Sequence, residues 1–450
     1  MLAAVVLLFV SCLAYQQPIP VSNQRVAIVG AGAGGSSAAY HLQKFTGHAF
    51  NITVFDKNDY IGGRSTPIDF DGVAAELGAS IFIQENELLA NAAEVFNLTV
   101  TEGFGNESSF AIWDGQAMDY ILEPSSSDIL TSLRLVWRFG LYSISIVKYY
   151  QSQALDSFIS DYYQTYFPWP SLNYITGLVK YTSQSSQKFF DSLGISDNYK
   201  SFIQGLTRNN YSQKLPQIHS LGSLVLLTGS SSLRISGGNN QIFQNWLKSS
   251  NADVKLNTSV TALAKDSTGY TVTYGSKSEH FDIVILAGPY NQLGITTNVS
   301  VSLSDVEYVH LYVTLVRSPH LLSESTYFDD PNTPQMVFTT DGDDFTYVGA
   351  IGYSSEYQEY VYKVFSFQNL DEDLLQRLFG NYSNKYVKDW YSYPNLTPRD
   401  KFDDFKLDNN LYYLNAIEPF LSTMETSSLA GANVAGLIAQ GKNTTEISIP

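Results

Sequence analysis

The sequence predicts an α/β fold built around a dinucleotide-binding βαβ unit, and three observations carry that reading. A short β-branched strand over 25–29 runs directly into Gly30-x-Gly32-x-x-Gly35. A helix-like segment, 36–45, comes next. A second strand, 51–55, then ends in an acid, Asp56. The order strand, glycines, helix, strand and acid is far more specific than the glycine pattern alone. Gly30 allows a tight turn, and Gly32 lets the backbone approach a pyrophosphate. Gly35 lets the helix pack closely on the strand, with its positive N-terminus aimed at the phosphates. Asp56 can accept hydrogen bonds from a ribose hydroxyl.

The next residues select the dinucleotide. Tyr60-Ile61-Gly62-Gly63-Arg64-Ser65 follows the acid. Two glycines let the backbone pass close to a cofactor, and an arginine offers a forked donor set for a phosphate. Here the chain resembles the flavin-dependent amine oxidase superfamily, in which a Gly-Gly-Arg loop follows the second strand and contacts FAD. Ala75-Glu76-Leu77-Gly78-Ala79-Ser80 resembles that superfamily's next element, which runs near the flavin. Many members carry a basic residue and further spacing before Gly-Gly-Arg. This chain has Asp56-Lys57-Asn58-Asp59, so Gly62, Gly63 and Arg64 are carried over and the role of Lys57 stays open. The resemblance implies a Rossmann-like FAD-binding domain with a discontinuous, mixed α+β substrate domain.

The remaining elements follow in order. The spacing of Ile129, Leu130, Leu133, Val136, Trp137, Leu141, Ile144 and Val147 predicts a helix within 128–151. Arg134, Arg138 and Lys148 interrupt it and argue against a transmembrane span. Such a helix is either buried or at an interface, or it borders an apolar tunnel or touches a membrane surface. Residues 162–213 are polar and aromatic, with further helices. Gly237-Gly238-Asn239-Asn240 precedes a helix over 241–248 and resembles the turn that leads flavin oxidases back into the dinucleotide domain. A strand is expected over 254–263, where Val260 best matches the valine that packs on the adenine in the resembled families. Strands are also expected over 281–287, 307–317, 360–366 and 411–415. Thr423-Met424-Glu425 opens a helix running through 438. A helix N-terminus offers free N–H groups and positive potential where reduced flavin holds negative charge. In the superfamily a Met-Glu at this helix start lies beside the flavin, which nominates Met424; Thr423 can cap the helix.

Bulk properties narrow the setting. Residues 1–14 form an apolar run ending in small residues, as a secretory signal peptide does. The single cysteine, Cys12, lies inside it, so a processed chain has no thiol for a flavin linkage, a nucleophile or a zinc site. The six histidines show no metal-ligand spacing, and no metal is expected. Nine Asn-x-Ser/Thr sequons are present. Asn97, Asn106, Asn210, Asn257, Asn298, Asn381 and Asn443 are the glycosylation candidates, while Asn51 begins a strand and Asn395 precedes Thr397-Pro398. Together these point to the secretory pathway, with a lysosome or vacuole, or secretion, as the destination. A net charge of −17 argues against nucleic acid as a partner. Length suggests two or three subdomains.

Several stretches together point to one family. Gly30-Ala31-Gly32-x-Gly34-Gly35, Gly78-Ala79-Ser80, Tyr362-Lys363-Val364-Phe365-Ser366, Tyr393-Pro394, and Leu411-Tyr412-Tyr413-Leu414-Asn415-x-Ile417-Glu418 with Met424-Glu425 resemble the prenylcysteine oxidase, or prenylcysteine lyase, family. The resemblance implies an FAD-dependent thioether oxidase. Its substrate would be S-farnesyl- or S-geranylgeranyl-cysteine from degraded prenylated proteins. Molecular oxygen would be the electron acceptor, and the products cysteine, an isoprenoid aldehyde and hydrogen peroxide. The flavin would carry the hydride transfer, so no Ser/His/Asp constellation is needed and no catalytic side chain is nominated. The expected cofactor set is Gly30, Gly32, Gly35, Asp56, Gly62, Gly63, Arg64, Val260 and Met424. Glu76, Glu418 and Glu425 are expected either at the cofactor or as helix caps, and Tyr412 and Tyr413 either near the flavin or in the core. The FAD-binding domain is expected to comprise 25–105, 230–295 and 405–440, and the substrate domain 106–229 and 296–404. Two alternatives stand beside this reading. One is an amine or polyamine oxidase on the same fold, for which Lys363 is the nearest candidate for a flavin-side lysine. The other is a secreted flavoprotein that binds a lipid without turnover.

Overall fold

The computed structural model describes residues 24–103, 109–122, 128–160, 167–174, 176–227 and 232–440. Its centre is a six-stranded sheet in the order 406–408, 411–413, 283–286, 25–29, 51–55, 253–255, parallel except for the first pair. Val26 lies opposite both Ile52 and Ile283, which fixes the register of the three central strands. Val26, Ala27, Ile28, Val54 and Val284 are fully buried, as a parallel sheet covered on both faces requires.

The helix Ala33–Thr46 packs between Asn240–Ser250 and Met424–Gln440. Its crossing with the last helix is very close, because small residues meet there. A Cβ at Gly431 would stand 2.2 Å from the Gly34 carbonyl oxygen, and Ser37 Oγ donates to the Ser428 carbonyl at 2.5 Å. On the other face, a four-stranded sheet (277–281, 270–274, 260–265, 296–297) packs Tyr274 and Phe281 against Phe55.

A seven-stranded, mostly antiparallel sheet forms the second layer system, in the order 384–394, 308–318, 359–366, 347–354, 336–339, 110–113, 118–122. Its long strand Tyr308–Ser318 is buried on both faces, with Val313 and Leu315 in one core and Val316 in another. Helices between 128 and 227 pack beside it. Trp169, almost fully buried, is fixed by Asn433, which accepts from the Trp169 N–H at 2.7 Å and donates to its carbonyl at 2.8 Å.

Three expected elements are divided. The helix within 128–151 is two helices, Asp128–Phe139 and Leu141–Ile159, because Gly140 at φ 83° interrupts the ladder. The strand expected over 254–263 is two strands in two sheets, 253–255 and 260–265, with Asn257 turning the chain at φ 50°. Likewise Phe281 ends a strand of the small sheet, whereas Ile283–Leu286 belongs to the central one. Hydrophobic runs alone do not show where a chain crosses between sheets. Among the described residues no helix is long and apolar enough to cross a membrane.

Candidate cofactor cleft and active site

The C-terminal ends of strands 25–29, 51–55 and 283–286 open onto a cleft of about 470 Å³. Ligands of open α/β sheets bind at this position. Gly30, Gly32, Asp56, Gly62, Gly63, Arg64, Val260 and Met424 all line it. Gly35 does not. It lies in the first helical turn, where a Cβ would come within 1.9 Å of the Gly30 carbonyl oxygen, so its place is the helix–strand contact. Lys57 also reaches the cleft.

The two glycine loops are stitched to each other. Gly62 N donates to the Ala31 carbonyl at 3.0 Å, and Gly32 and Gly62 form a parallel bridge. A Cβ at Gly30 would meet the Ala287 oxygen at 2.5 Å, and one at Gly62 the Ser65 oxygen at 2.2 Å. Both positions also have positive φ, so only glycine fits them. At Gly32 the backbone is ordinary, φ −80°, and a Cβ would stand 3.8 Å from its nearest neighbours. The bare backbone there lines the cleft, and a Cβ would make only ordinary contact with the Gly62–Gly63 loop.

Two helix N-termini line the cleft. Gly32, Ala33 and Gly34 open one, and no acidic residue stands in its first turn. Thr423, Met424 and Ser427 belong to the other, which Thr423 caps by accepting from Thr426 N at 3.0 Å. Unspent N–H groups and positive potential therefore face the cleft twice. Asp56 holds the first loop from below: Oδ2 accepts from Ala31 N at 2.7 Å, and Oδ1 from Asn58 N and Nδ2 at 2.8 and 2.9 Å. Its remaining lone pair on Oδ2 is the one left for a ribose hydroxyl.

The three glutamates separate. Glu418 is in the cleft wall, almost fully buried, and accepts from both the Arg64 guanidinium and the Tyr308 hydroxyl. Arg64 also donates to the Ser392 carbonyl at 2.7 Å. Two of its five N–H groups are thus taken by Glu418 and a carbonyl, while the side chain stays partly exposed in the cleft lining. Burial would lower the Arg64 pKa, but Glu418 beside it raises it overall. Burial raises Tyr308, with Glu418 adding to it, so its hydroxyl remains a donor. Glu425 turns away and accepts from Leu88 N and Leu89 N at 2.9 and 3.1 Å, capping the helix Glu87–Val95. Glu76 accepts from Asn239 N at 2.7 Å, at the start of the helix Asn240–Ser250. Its Oε2 is buried without a partner, and burial pushes the carboxyl up to about 7.

Lys363 does not line the cleft. Its Nζ donates to the Glu76 carbonyl at 3.1 Å and to Ser80 Oγ at 3.0 Å, and burial lowers its pKa to about 8. Tyr412 and Tyr413 are buried outside the cleft lining; the Tyr413 hydroxyl accepts from Tyr290 N.

Sequence reasoning missed the opposite wall. Strand Asn384–Pro394 brings Lys388, Asp389, Trp390, Tyr391, Ser392 and Tyr393 to the cleft, joined by Leu311. Trp390 also approaches Gly78 so closely that a Cβ there would lie 2.9 Å from its ring. The available signal was the dense aromatic run ending at Tyr393-Pro394, which names a wall but not what it faces.

This arrangement is that of an FAD-dependent oxidoreductase. Solved structures share the fold: putrescine oxidase bound to putrescine, with a TM-score of 0.64, 14% identity and coverage of 92% of this chain and 99% of that one, and cyclohexylamine oxidase from Brevibacterium oxydans, with 0.63, 16%, 93% and 99%. An NAD(P)-binding Rossmann-like domain matches residues 28–95, and prenylcysteine lyase matches 122–449. Among curated relatives, farnesylcysteine lyase of Arabidopsis thaliana is 29% identical over 94% of this chain and 90% of its own length. Prenylcysteine oxidase 1 is 28% identical in Rattus norvegicus, over 94% and 90%, and 28% in Homo sapiens, over 91% and 88%. The chain belongs to the prenylcysteine lyase family.

Proposed function

We propose that this chain is an FAD-dependent thioether oxidase that cleaves S-farnesyl- or S-geranylgeranyl-cysteine. The balance is prenyl-CH2–S–cysteine, oxygen and water in, with prenyl aldehyde, cysteine and hydrogen peroxide out. The carrying observation is the convergence of both glycine loops, Val260 and two helix N-termini on one cleft at the edge of the parallel sheet. Relatives named for farnesylcysteine and prenylcysteine supply the substrate class.

FAD, when bound, supplies the two-electron acceptor for the carbon attached to sulfur and returns those electrons to oxygen. The chain's own residues do the rest. Gly30 makes the tight turn and Gly32 would let the backbone come close to a pyrophosphate, with the N-terminus of Ala33–Thr46 behind it. Asp56 would hold a ribose hydroxyl, Gly62 and Gly63 would leave room beside the cofactor, and Val260 would offer backbone to an adenine. Met424 sits at the helix start that would face the flavin's electron-rich end. Arg64 lines the cleft and holds Glu418, which in turn accepts from Tyr308, in its wall. Trp390, Tyr391, Tyr393 and Leu311 offer the apolar wall that a prenyl chain and a dry reaction site need. A carbocation next to sulfur and a double bond is stabilised by both, so no side chain must first withdraw a proton.

Incubating the protein with S-farnesylcysteine under air tests this. Thiol, aldehyde and peroxide are expected in equal amounts. Thiol release without peroxide would replace oxidation by a different cleavage.

The same proposal places the protein in the secretory route, ending in a lysosome or vacuole or outside the cell. Asn97, Asn257 and Asn381 are exposed. Asn210 is half-buried and Asn298 exposed, and they donate their amide nitrogens to the Leu206 and Lys265 carbonyls. Asn106, Asn443 and the segment 1–14 lie outside the described residues. A mass shift on glycosidase treatment, mapped to Asn97, Asn257 or Asn381, supports this route; an unmodified mature chain refutes it.

A further inference from the structure

Between residues 129 and 155 the chain carries three basic side chains, Arg134, Arg138 and Lys148, and no acidic one. The whole chain has 43 acids against 26 bases, so this stretch inverts the prevailing charge. It forms the helices Asp128–Phe139 and Leu141–Ile159. Their inner faces are occupied. Phe139 packs on Tyr120, Tyr199 and Phe202, Val147 and Ala154 are buried, and Arg138 pairs with Asp119 at 2.7 Å.

The outer face is apolar and open. Trp137 is 88% exposed, Leu141 64%, Tyr142 61%, Leu133 59%, Tyr149 57% and Leu130 52%. These are six of the twelve large exposed hydrophobic side chains in the described residues, gathered within twenty positions. Leu130, Leu133, Arg134 and Trp137 follow the i, i+3, i+4, i+7 spacing of one helix face. Arg134 and Lys148 are themselves exposed.

We propose that this face docks on the surface of an anionic lipid bilayer. Exposed leucines and a tryptophan, with exposed tyrosines and basic side chains nearby in the chain, are the composition of an interfacial helix. The charge inversion favours presenting this face of a strongly acidic protein to anionic headgroups. A second copy of the chain fits less well. A twofold contact through this face would bring Arg134 and Lys148 of both copies together, between two molecules of net charge −17.

The helix Leu141–Ile159 also links this face to the cleft. Phe158, near its far end, stacks on Phe420 at 6.4 Å, two residues beyond Glu418. Nineteen residues span about 28 Å, so one helix runs from the exposed face to Phe420, which lies in sequence between Glu418 and Ser422 of the cleft wall. If the substrate is a prenyl thioether, as proposed above, it dissolves in the leaflet that this face would touch. That delivery role rests on the proposed substrate; the docking does not.

The test uses the purified, flavin-loaded protein and vesicles of phosphatidylcholine with or without phosphatidylserine. Cosedimentation is expected to be about tenfold stronger with the anionic vesicles and to weaken with salt. Bromolipid quenching should reach Trp137 and disappear in Trp137→Phe. Leu133→Ala with Trp137→Ala should lower binding about tenfold, and Arg134→Gln with Lys148→Gln should abolish the preference for phosphatidylserine. Turnover of a soluble thioether should be unchanged in both variants. Vesicle binding that both variants retain would assign it to another segment, such as 1–23, and overturn the proposal. So would a dimer that Trp137→Ala dissociates while no vesicle is bound. Because sedimentation needs no turnover, failure here and failure of the proposed substrate are separately visible.

Discussion

Gly32 and Gly35 lie three residues apart, and the structure predicts opposite consequences for the same substitution. At Gly32 the backbone sits at φ −80° and ψ −169°, which alanine adopts without strain, and a new Cβ would stand 3.8 Å from the nearest protein atoms. Gly32→Ala should therefore leave the stability of the cofactor-free protein unchanged, or raise it by up to about 1 kcal/mol through the unfolded state. Its methyl group instead occupies the space where cofactor and backbone would meet, so FAD affinity should fall about 100-fold, or about 2.7 kcal/mol. At Gly35 the Cβ would be 1.9 Å from the Gly30 oxygen and 3.2 Å from Ala287 Cβ. The helix Ala33–Thr46 must then move off its strand by more than an ångström, at a cost of about 3 kcal/mol. Urea denaturation of both cofactor-free variants, with FAD titration followed by flavin fluorescence, separates the two effects. If Gly32→Ala binds FAD like the parent, or is destabilised as much as Gly35→Ala, the placement of the cofactor over the first glycine loop is wrong.

Other expectations follow from the buried polar groups. Arg64→Ala leaves Glu418 buried with only Tyr308 as donor and should cost about 3 kcal/mol, whereas Glu418→Gln keeps acceptor and packing and should cost less than half of that; urea midpoints compare them. Because burial raises Glu76 to about 7, its contribution to stability is complete below its unfolded value near 4.5 and is lost as pH rises through 7. Glu76→Gln should therefore gain on the parent by about 3 kcal/mol across that window, read from melting curves at several pH values. His219 behaves in the opposite sense. Burial lowers it to about 4, and its Nδ1 accepts from Gly222 N, so its contribution is complete above pH 6.5 and is lost as pH falls towards 4. His219→Asn, which keeps an acceptor for Gly222, should be less acid-sensitive, by about 2 kcal/mol at pH 5. Asn433→Ala strands both backbone groups of buried Trp169 and should cost about 2 kcal/mol in the same denaturation assay.

The βαβ unit and the cleft's floor were legible because each part has a local cause. Gly30 and Gly62 need positive φ, Gly35 needs contact with a strand, and Thr423 caps a helix three residues on. Features that depend on distant partners were not. Nothing near Arg64 in the chain announces Glu418, 354 positions away, and the residue type suggests a phosphate instead. Glu76 and Glu425 read equally well as cofactor contacts or caps until Asn239, Leu88 and Leu89 are placed beside them. The second wall, Trp390 to Tyr393, belongs to a strand whose aromatic residues look like any core strand until the sheet order sets them over Gly78 and Arg64. Conversely, the apolar run within 128–151 was visible, but its division at Gly140 and its open face were not, since hydrophobicity does not say which side lacks a neighbour.

The central claim is that this cleft holds FAD and that the flavin oxidises a prenyl thioether. Anaerobic mixing of the purified protein with S-farnesylcysteine, while the visible flavin band is followed, tests it most directly. The account predicts that the band bleaches without oxygen, and that admitting air restores it with release of hydrogen peroxide. A flavin band that persists in the presence of substrate would contradict the proposed reaction, and the absence of any flavin band in the purified protein would contradict the cofactor itself.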